Sequence, residues 1–134
     1  MVGRPILWEL VGVACGGALG SLLRYGLTRL AVWLPGSSSY LGTFAANLIG
    51  CLAIGVLTGY LSSGGKLGVH QQVAIKVGLL GGLTTFSTLA LESVTLAADQ
   101  RWTLSALCLS ANLVFGCLAV VVGIALGKSL NPAG

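Results

Sequence analysis

Four long apolar stretches make up most of this 134-residue chain. They run roughly over residues 7–34, 41–61, 73–98 and 102–126. Each is long enough to cross the hydrocarbon core of a bilayer, for which a helix needs about 20 residues. Since lipid leaves open strands and irregular backbone without hydrogen-bond partners, a helix is the conformation expected of each span. The sequence therefore predicts an all-α integral membrane protein of four transmembrane helices, folded as a single membrane domain over 1–134.

The charged residues are few and scattered. They make up 7% of the chain, against about 25% in an ordinary soluble domain. The seven basic residues stand singly near the ends of apolar stretches, which is typical of membrane-interface anchors and not of a nucleic-acid surface. We therefore expect the lipid bilayer as a partner, no nucleic acid, and a multi-pass location in a cell membrane.

The residue types that most often bind metals have no metal-site spacing here. The four cysteines lie within apolar stretches, and neither they nor the single histidine form a zinc-type cluster. His70 stands beside two glutamines in a connecting loop, where we expect it to be solvated.

The basic residues divide almost evenly between the two sides of the membrane. If the amino terminus faces the cytoplasm, four of them lie inside and three outside. The inner group is Arg4, Lys66, Lys76 and Lys128, and the outer group is Arg24, Arg29 and Arg101. Because the Lys/Arg bias sets orientation, this balance predicts that copies insert both ways and pair head to tail. The alternative is that packing alone imposes one orientation.

Glycines recur at intervals of four residues in each predicted helix. The sets are Gly12, Gly16 and Gly20, then Gly55 and Gly59, Gly78 and Gly82, and Gly123 and Gly127. Small residues at this spacing let helix backbones approach closely. They predict tight packing without indicating which helices meet. A chain this short is too small to surround a transport pathway alone, so we expect it to oligomerise.

The third apolar stretch contains the run GGLTTFST, from Gly81 to Thr88. Two adjacent glycines followed by β-branched and hydroxylated residues favour a break near the middle of this helix. A break at this depth frees backbone carbonyls, which coordinate ions in other broken membrane helices. The alternative is an unbroken helix whose hydroxyls bond back to preceding carbonyls. The residues alone leave both open.

Polar residues also lie in the other apolar stretches and beyond the suspected break. Asn47 and Thr43 share one face of the second helix, where they can either hold helices together or line an anion pathway. Glu92 is a carboxylate within a span, which is a functional-site hypothesis by default. Arg24 can either extend to the interface or raise the anion potential at a pore mouth.

Three of these segments together resemble the Fluc (CrcB) family of fluoride channels. They are GSLLR ending at Arg24, GTFAANLIG around Asn47, and GGLTTFST beginning at Gly81, and the likeness covers nearly the whole chain. The resemblance implies a fluoride-selective ion channel, not an enzyme, that exports cytoplasmic fluoride passively down its electrochemical gradient and confers fluoride resistance. It also implies an antiparallel, dual-topology homodimer with two pores and a central structural sodium ion.

The resemblance further implies which residues line the fluoride pore. Asn47 and Phe86 would face the ion, with Thr43, Ser87 and Thr88 forming a polar track beside it. Fluoride is strongly hydrated, so a pore must replace its water with hydrogen-bond donors. The electropositive edge of an aromatic ring can also face an anion.

Other residues receive supporting roles from the same resemblance. The backbone carbonyls of Gly81 and Thr84 would bind the sodium ion at the dimer interface. Arg24 would lie at the aqueous vestibule, with Glu92 nearby.

The fourth helix and the end of the broken run depart from the family's pattern. Leu89 stands where a second phenylalanine is expected, and Cys108 where the family often has a pore-facing tyrosine. Ser110 and Asn112 are candidate polar substitutes on the fourth helix, so all four residues are predicted to be pore-adjacent.

Two other functions are compatible with the residues. A proton-coupled small exporter would use Glu92 as its titrating carrier. A non-conducting membrane subunit would need only the glycine faces for assembly.

Overall fold

The structure is a computed structural model, and it describes residues 3–34 and 38–130. The described residues are almost entirely helical. In chain order the elements are α1 (Gly3–Trp33), α2 (Ser39–Ser62), α3 (Val69–Val73), a π-helix (Ala74–Leu80), α4 (Gly81–Leu83), α5 (Phe86–Ala98) and α6 (Trp102–Ser129). The side chain of Arg4, one member of the predicted inner charge group, lies outside the described part of the chain.

Four segments of the described chain are long and apolar enough to cross a membrane, which confirms the four predicted spans. They are Ile6–Trp33, Ser39–Ser62, Val69–Ala98 and Trp102–Ser129. The third span begins before the predicted residue 73 because a capping interaction extends it: the Gly68 N–H donates to Gln71 Oε1 at 2.9 Å. Apolar runs alone place these polar residues in the connecting loop.

The third span is broken at Thr84 and Thr85, whose backbones are extended, with ψ angles of 152° and 120°. Thr85 caps the helix that follows, since its Oγ1 accepts the Thr88 N–H at 3.2 Å. The Thr84 hydroxyl bonds back to the Leu80 carbonyl at 2.9 Å, so back-bonding describes this one side chain and not the whole segment. The predicted break is confirmed.

Glycines bring helices together in pairs within one chain. On α1, a Cβ added to Gly16 would lie 2.6 Å from the Ala74 carbonyl oxygen of the π-helix. On α6, a Cβ added to Gly127 would lie 2.6 Å from the Tyr60 nitrogen of α2. Only glycine permits backbones to approach so closely. The four-residue spacing therefore serves packing of α1 on the third span and of α2 on α6.

The buried core lies where α2 meets the third span, just before the break. It is formed by Ala46, Leu80 and Leu83. Most large apolar side chains are exposed, as expected for helices that face lipid or another protein. Phe86, the first residue after the break, is 79% exposed.

His70, at the start of the third span, contacts α1. Its Nδ1 lies 3.2 Å from Glu9 Oε1, and both side chains are partly exposed. The expectation that His70 is simply solvated was therefore incomplete, because the residue also links the starts of α1 and the third span.

Candidate functional site

The carboxamide of Asn47 forms two hydrogen bonds with the backbone of Thr85 at the break. The Thr85 N–H donates to Asn47 Oδ1 at 2.8 Å, and Asn47 Nδ2 donates to the Thr85 carbonyl at 3.2 Å. Asn47 follows Ala46, which is buried in the core between α2 and the third span. Helix packing therefore brings the amide to the break, where it replaces the backbone partners that the extended Thr85 has lost.

This pairing changes the hydrogen bonding of the carbonyls before the break. In a continuous helix the Thr85 N–H would bond to the Gly81 carbonyl, but here it donates to Asn47. In the same way the Thr88 N–H would bond to the Thr84 carbonyl, but it donates to Thr85 Oγ1. The carbonyls of Gly81 and Thr84 thus lose the partners that a continuous helix would give them.

Arg24 of α1 engages a third carbonyl at the break. Its Nε donates to the Gly82 carbonyl at 3.1 Å, and the side chain is partly buried. A hydrogen bond to a charged group of this kind contributes about 1.5–3 kcal/mol. The residue predicted for the vestibule therefore also stabilises the broken backbone.

Asn112 connects α6 to the same point. Its Oδ1 accepts from Asn47 Nδ2 at 2.9 Å, and its Nδ2 donates to the Cys108 carbonyl at 2.9 Å. Because an amide nitrogen carries two protons, both protons of Asn47 Nδ2 are engaged, by Thr85 and by Asn112. The sequence predicted Asn112 only as a polar substitute near the pore; the structure joins it directly to Asn47.

Asn47, Thr85 and Asn112 line a cavity of about 550 Å³ between α2, the third span and α6. Its wall is mostly apolar with a few convergent polar groups, which is typical of binding sites. The predicted site residues in the lining are Asn47, Gly81, Thr84, Phe86, Leu89 and Asn112.

Two lining residues, Thr85 and Lys76, were missed by the sequence analysis as site residues. Thr85 acts through its backbone and as a helix cap, and the only signal for it was its place in the suspected break. Lys76 was interpreted as a topology determinant. Its position inside an apolar stretch was a signal that could have identified it.

The polar track residues lie next to this cavity, outside its lining. Thr43 is one turn before Asn47 on α2 and only 1% exposed. Ser87 and Thr88 lie in the first turn of α5, where their hydroxyls are 3.3 Å and 3.1 Å from Thr85 Oγ1.

The remaining predicted residues lie farther along α5 and α6, also outside the cavity lining. The hydroxyl of Ser110 donates to the Ala106 carbonyl at 2.6 Å, and Cys108 contributes its carbonyl to Asn112. Glu92 Oε2 is buried and has no hydrogen-bond partner in the part of the chain that the structure describes.

The described residues contain no group of three or more His, Cys, Asp or Glu side chains that could hold a metal ion. A cation at the break would therefore depend on carbonyl oxygens, which are suitable ligands for hard metal ions.

Comparisons with known proteins agree on one family. The chain matches the family model described as CrcB-like protein, Camphor Resistance (CrcB), over residues 11–124. A fluoride-specific ion channel FluC from Chloroflexus aurantiacus is 37% identical over 120 residues, which cover 90% of this chain and 95% of the relative. The protein of the same name from Maridesulfovibrio salexigens is 36% identical, with coverages of 87% and 92%. That from Nitratidesulfovibrio vulgaris is 38% identical, with coverages of 90% and 97%.

Proposed function

Since this chain belongs to the CrcB family, we propose that it forms a fluoride-selective ion channel through which cytoplasmic fluoride leaves passively down its electrochemical gradient. Such export would confer fluoride resistance. The chain is a multi-pass protein of the cell membrane and not an enzyme. The observation that carries the proposal is the broken third span, held by Asn47 at a cavity, in a chain similar to proteins named fluoride-specific ion channels.

The start of α5 suits the binding of a small anion. The first amides of a helix have no helical acceptor, and together with the helix dipole they favour negative charge. Because α5 begins at Phe86, which lines the cavity, its first amides lie near the cavity wall, although that of Thr88 already donates to Thr85 Oγ1. The ring edge of Phe86 and the hydroxyls of Ser87 and Thr88 add groups that can replace fluoride's water. Thr43 would extend this track along α2.

The end of α4 suits the binding of a cation, which we assign as sodium. The carbonyls of Gly81 and Thr84 are the ligands, and support comes from the diversion of the Thr85 and Thr88 amides to side-chain acceptors. In other membrane proteins the amino-terminal ends of broken helices bind anionic groups, and their carboxy-terminal ends bind cations. Two carbonyls are too few for a metal ion, so a second copy would supply an equal pair about a twofold axis.

We further propose that two copies form an antiparallel homodimer with two pores. The break exposes Gly81 and Phe86, and irregular backbone at this depth needs protein or water beside it, since lipid cannot satisfy its polar groups. The glycine faces of α1, α2 and α6 are occupied within the chain, so we assign the break as the surface for the second copy. The nearly even division of basic residues favours opposed insertion.

A proton-coupled exporter is the second candidate, because Glu92 carries a buried Oε2 with no partner in the described chain. An intramembrane carboxylate in this state is suited to carrying a proton. Its position outside the cavity lining favours the channel.

Fluoride efflux from proteoliposomes, followed with a fluoride electrode, tests the proposal. A channel releases trapped fluoride when valinomycin supplies a charge-balancing potassium current, and it does so without a proton gradient. An exporter requires the proton gradient, and a non-conducting subunit releases nothing. Vesicles loaded with chloride provide the selectivity control; equal loss of both halides would contradict fluoride selectivity.

A further inference from the structure

Lys76 places an ionisable group inside the third span. It lies in the π-helix Ala74–Leu80, eight residues before Thr84 in the chain. It lines the same cavity as Asn47 and Phe86. Charged groups in membrane spans are costly and mark ion pathways or specific partners.

The charge of Lys76 has no protein partner in the described chain. The one ion pair among the described residues joins His70 to Glu9, and none of the hydrogen bonds found there involves the Lys76 ammonium. Lys76 as a residue is half-buried, and an ammonium with three donors inside a span needs water or a counter-ion. The cavity that it lines is the place where these can be supplied.

The neighbouring packing explains why Lys76 faces the cavity. Gly78 packs against α1, since a Cβ added to it would lie 3.0 Å from the Val13 carbonyl oxygen. Residues two apart lie on nearly opposite sides of a helix. Lys76 therefore points away from α1, toward the side where α2 and α6 enclose the cavity.

We propose that Lys76 is an anion-attracting residue of this cavity and raises the local concentration of fluoride before the ion reaches the break. The proposal rests on the fluoride-channel function above. A fixed cation in a low-dielectric cleft focuses the potential and concentrates small anions. A lysine is a compact point charge without the bidentate geometry of arginine, so it attracts an ion while leaving it free to move on.

A lipid phosphate is the other anion that could pair with this ammonium. The position of Lys76 in the wall that also contains Asn47, Thr84 and Asn112 favours a mobile ion. A headgroup would have to leave the interface and enter a mostly apolar cavity.

Initial rates of fluoride efflux in neutral-lipid vesicles test the proposal with four proteins: wild type, Lys76→Gln, Lys76→Arg and Lys66→Gln. Lys66 is exposed in the connector between α2 and α3, so its variant removes the same net charge away from the cavity. We expect Lys76→Gln to lower the rate about tenfold. Lys76→Arg keeps the positive charge and should conduct faster than Lys76→Gln, and Lys66→Gln should conduct as wild type does.

Several outcomes would overturn the role of Lys76. These are an unchanged rate in Lys76→Gln, an equal loss in Lys66→Gln, or a loss that occurs only in vesicles with anionic lipid, which would indicate a headgroup partner. If Lys76→Gln is not monodisperse, Lys76→Met keeps the apolar stem and decides the same question. Wild-type vesicles that retain fluoride would instead refute the channel itself.

Discussion

The side-chain amide of Asn47 hydrogen-bonds to both the N–H and the carbonyl of Thr85, at the point where the helix of the third span is broken. One carboxamide supplies the acceptor and the donor, at 2.8 Å and 3.2 Å, that a helix would otherwise provide. The two residues are 38 positions apart in the chain, so the break is held by packing of α2 on the third span. Asn47 lines the cavity and also holds the backbone at the break, next to the Gly81 and Thr84 carbonyls that we assign as sodium ligands.

Asn47→Leu should open the break and abolish fluoride efflux. The change keeps the side-chain size but leaves the Thr85 amide and carbonyl unpaired, each at a cost of about 1–3 kcal/mol. Hydrogen–deuterium exchange should accelerate in peptides covering residues 84–88. Thr58→Ala is the control, because Thr58 lies on the same helix as Asn47 and its hydroxyl donates to the Ile54 carbonyl of that helix at 2.7 Å. Unchanged exchange in Asn47→Leu would show that Asn47 does not hold the break, and unchanged efflux would show that conduction does not need it.

Phe86→Ala should reduce conduction more than it weakens assembly. The ring is 79% exposed in the single chain and lines the cavity, so its loss changes the pore wall more than the core. We expect efflux to fall at least about tenfold, which corresponds to ~1.4 kcal/mol. Phe115→Ala is the comparison, since Phe115 packs edge-on against Phe44 with ring centroids 6.1 Å apart. Equal effects of the two changes would argue against a pore position.

Replacing sodium with a large organic cation should destabilise the wild-type protein in detergent. A bound ion stabilises by about 2.7 kcal/mol at one hundred times its dissociation constant, so the melting temperature should rise with sodium concentration. In Asn47→Leu this dependence should weaken, because Asn47 no longer holds the extended backbone that presents the Gly81 and Thr84 carbonyls. Identical melting of the wild type in both salts would exclude the cation site.

Gly16→Ala should destabilise the chain, whereas Gly26→Ala should not. A methyl group at Gly16 would lie 2.6 Å from the Ala74 carbonyl oxygen, while one at Gly26 would meet nothing within 4 Å. Overpacking of this kind costs about 1–3 kcal/mol, and alanine in an open helical position gains up to about 1 kcal/mol over glycine. Thermal unfolding in detergent gives both values. A stable Gly16→Ala protein would contradict the close contact of α1 with the π-helix.

The spans and the break could be predicted because they follow from local properties. Apolar stretches of sufficient length require helices in lipid, and the glycines and threonines from Gly81 to Thr85 disfavour a continuous helix. The Asn47 to Thr85 pairing could not be predicted in detail. Which amide meets which backbone group depends on how α2 crosses the third span, and the residues alone do not specify that crossing.

The role of Lys76 was missed for a related reason. A single lysine near the end of an apolar stretch is commonly an interface anchor. The third span begins at Val69 and includes a π-helix over Ala74–Leu80, and together these place the residue within the span and beside the cavity. Neither the start of the span at Val69 nor the π-helix has a strong signal in the sequence. A π-helix depends on tertiary packing.

The π-helix also sets the rotational register of the whole third span. A π-helical stretch accommodates an extra residue in a turn. If the same residues were wound as an ordinary α-helix, that extra residue would rotate everything after it by about 100°, the angle per residue of an α-helix. Thr85 would turn away from Asn47 although every span kept its length and apolar character. The extra residue of the π-helix thus determines that the break in the third span faces α2.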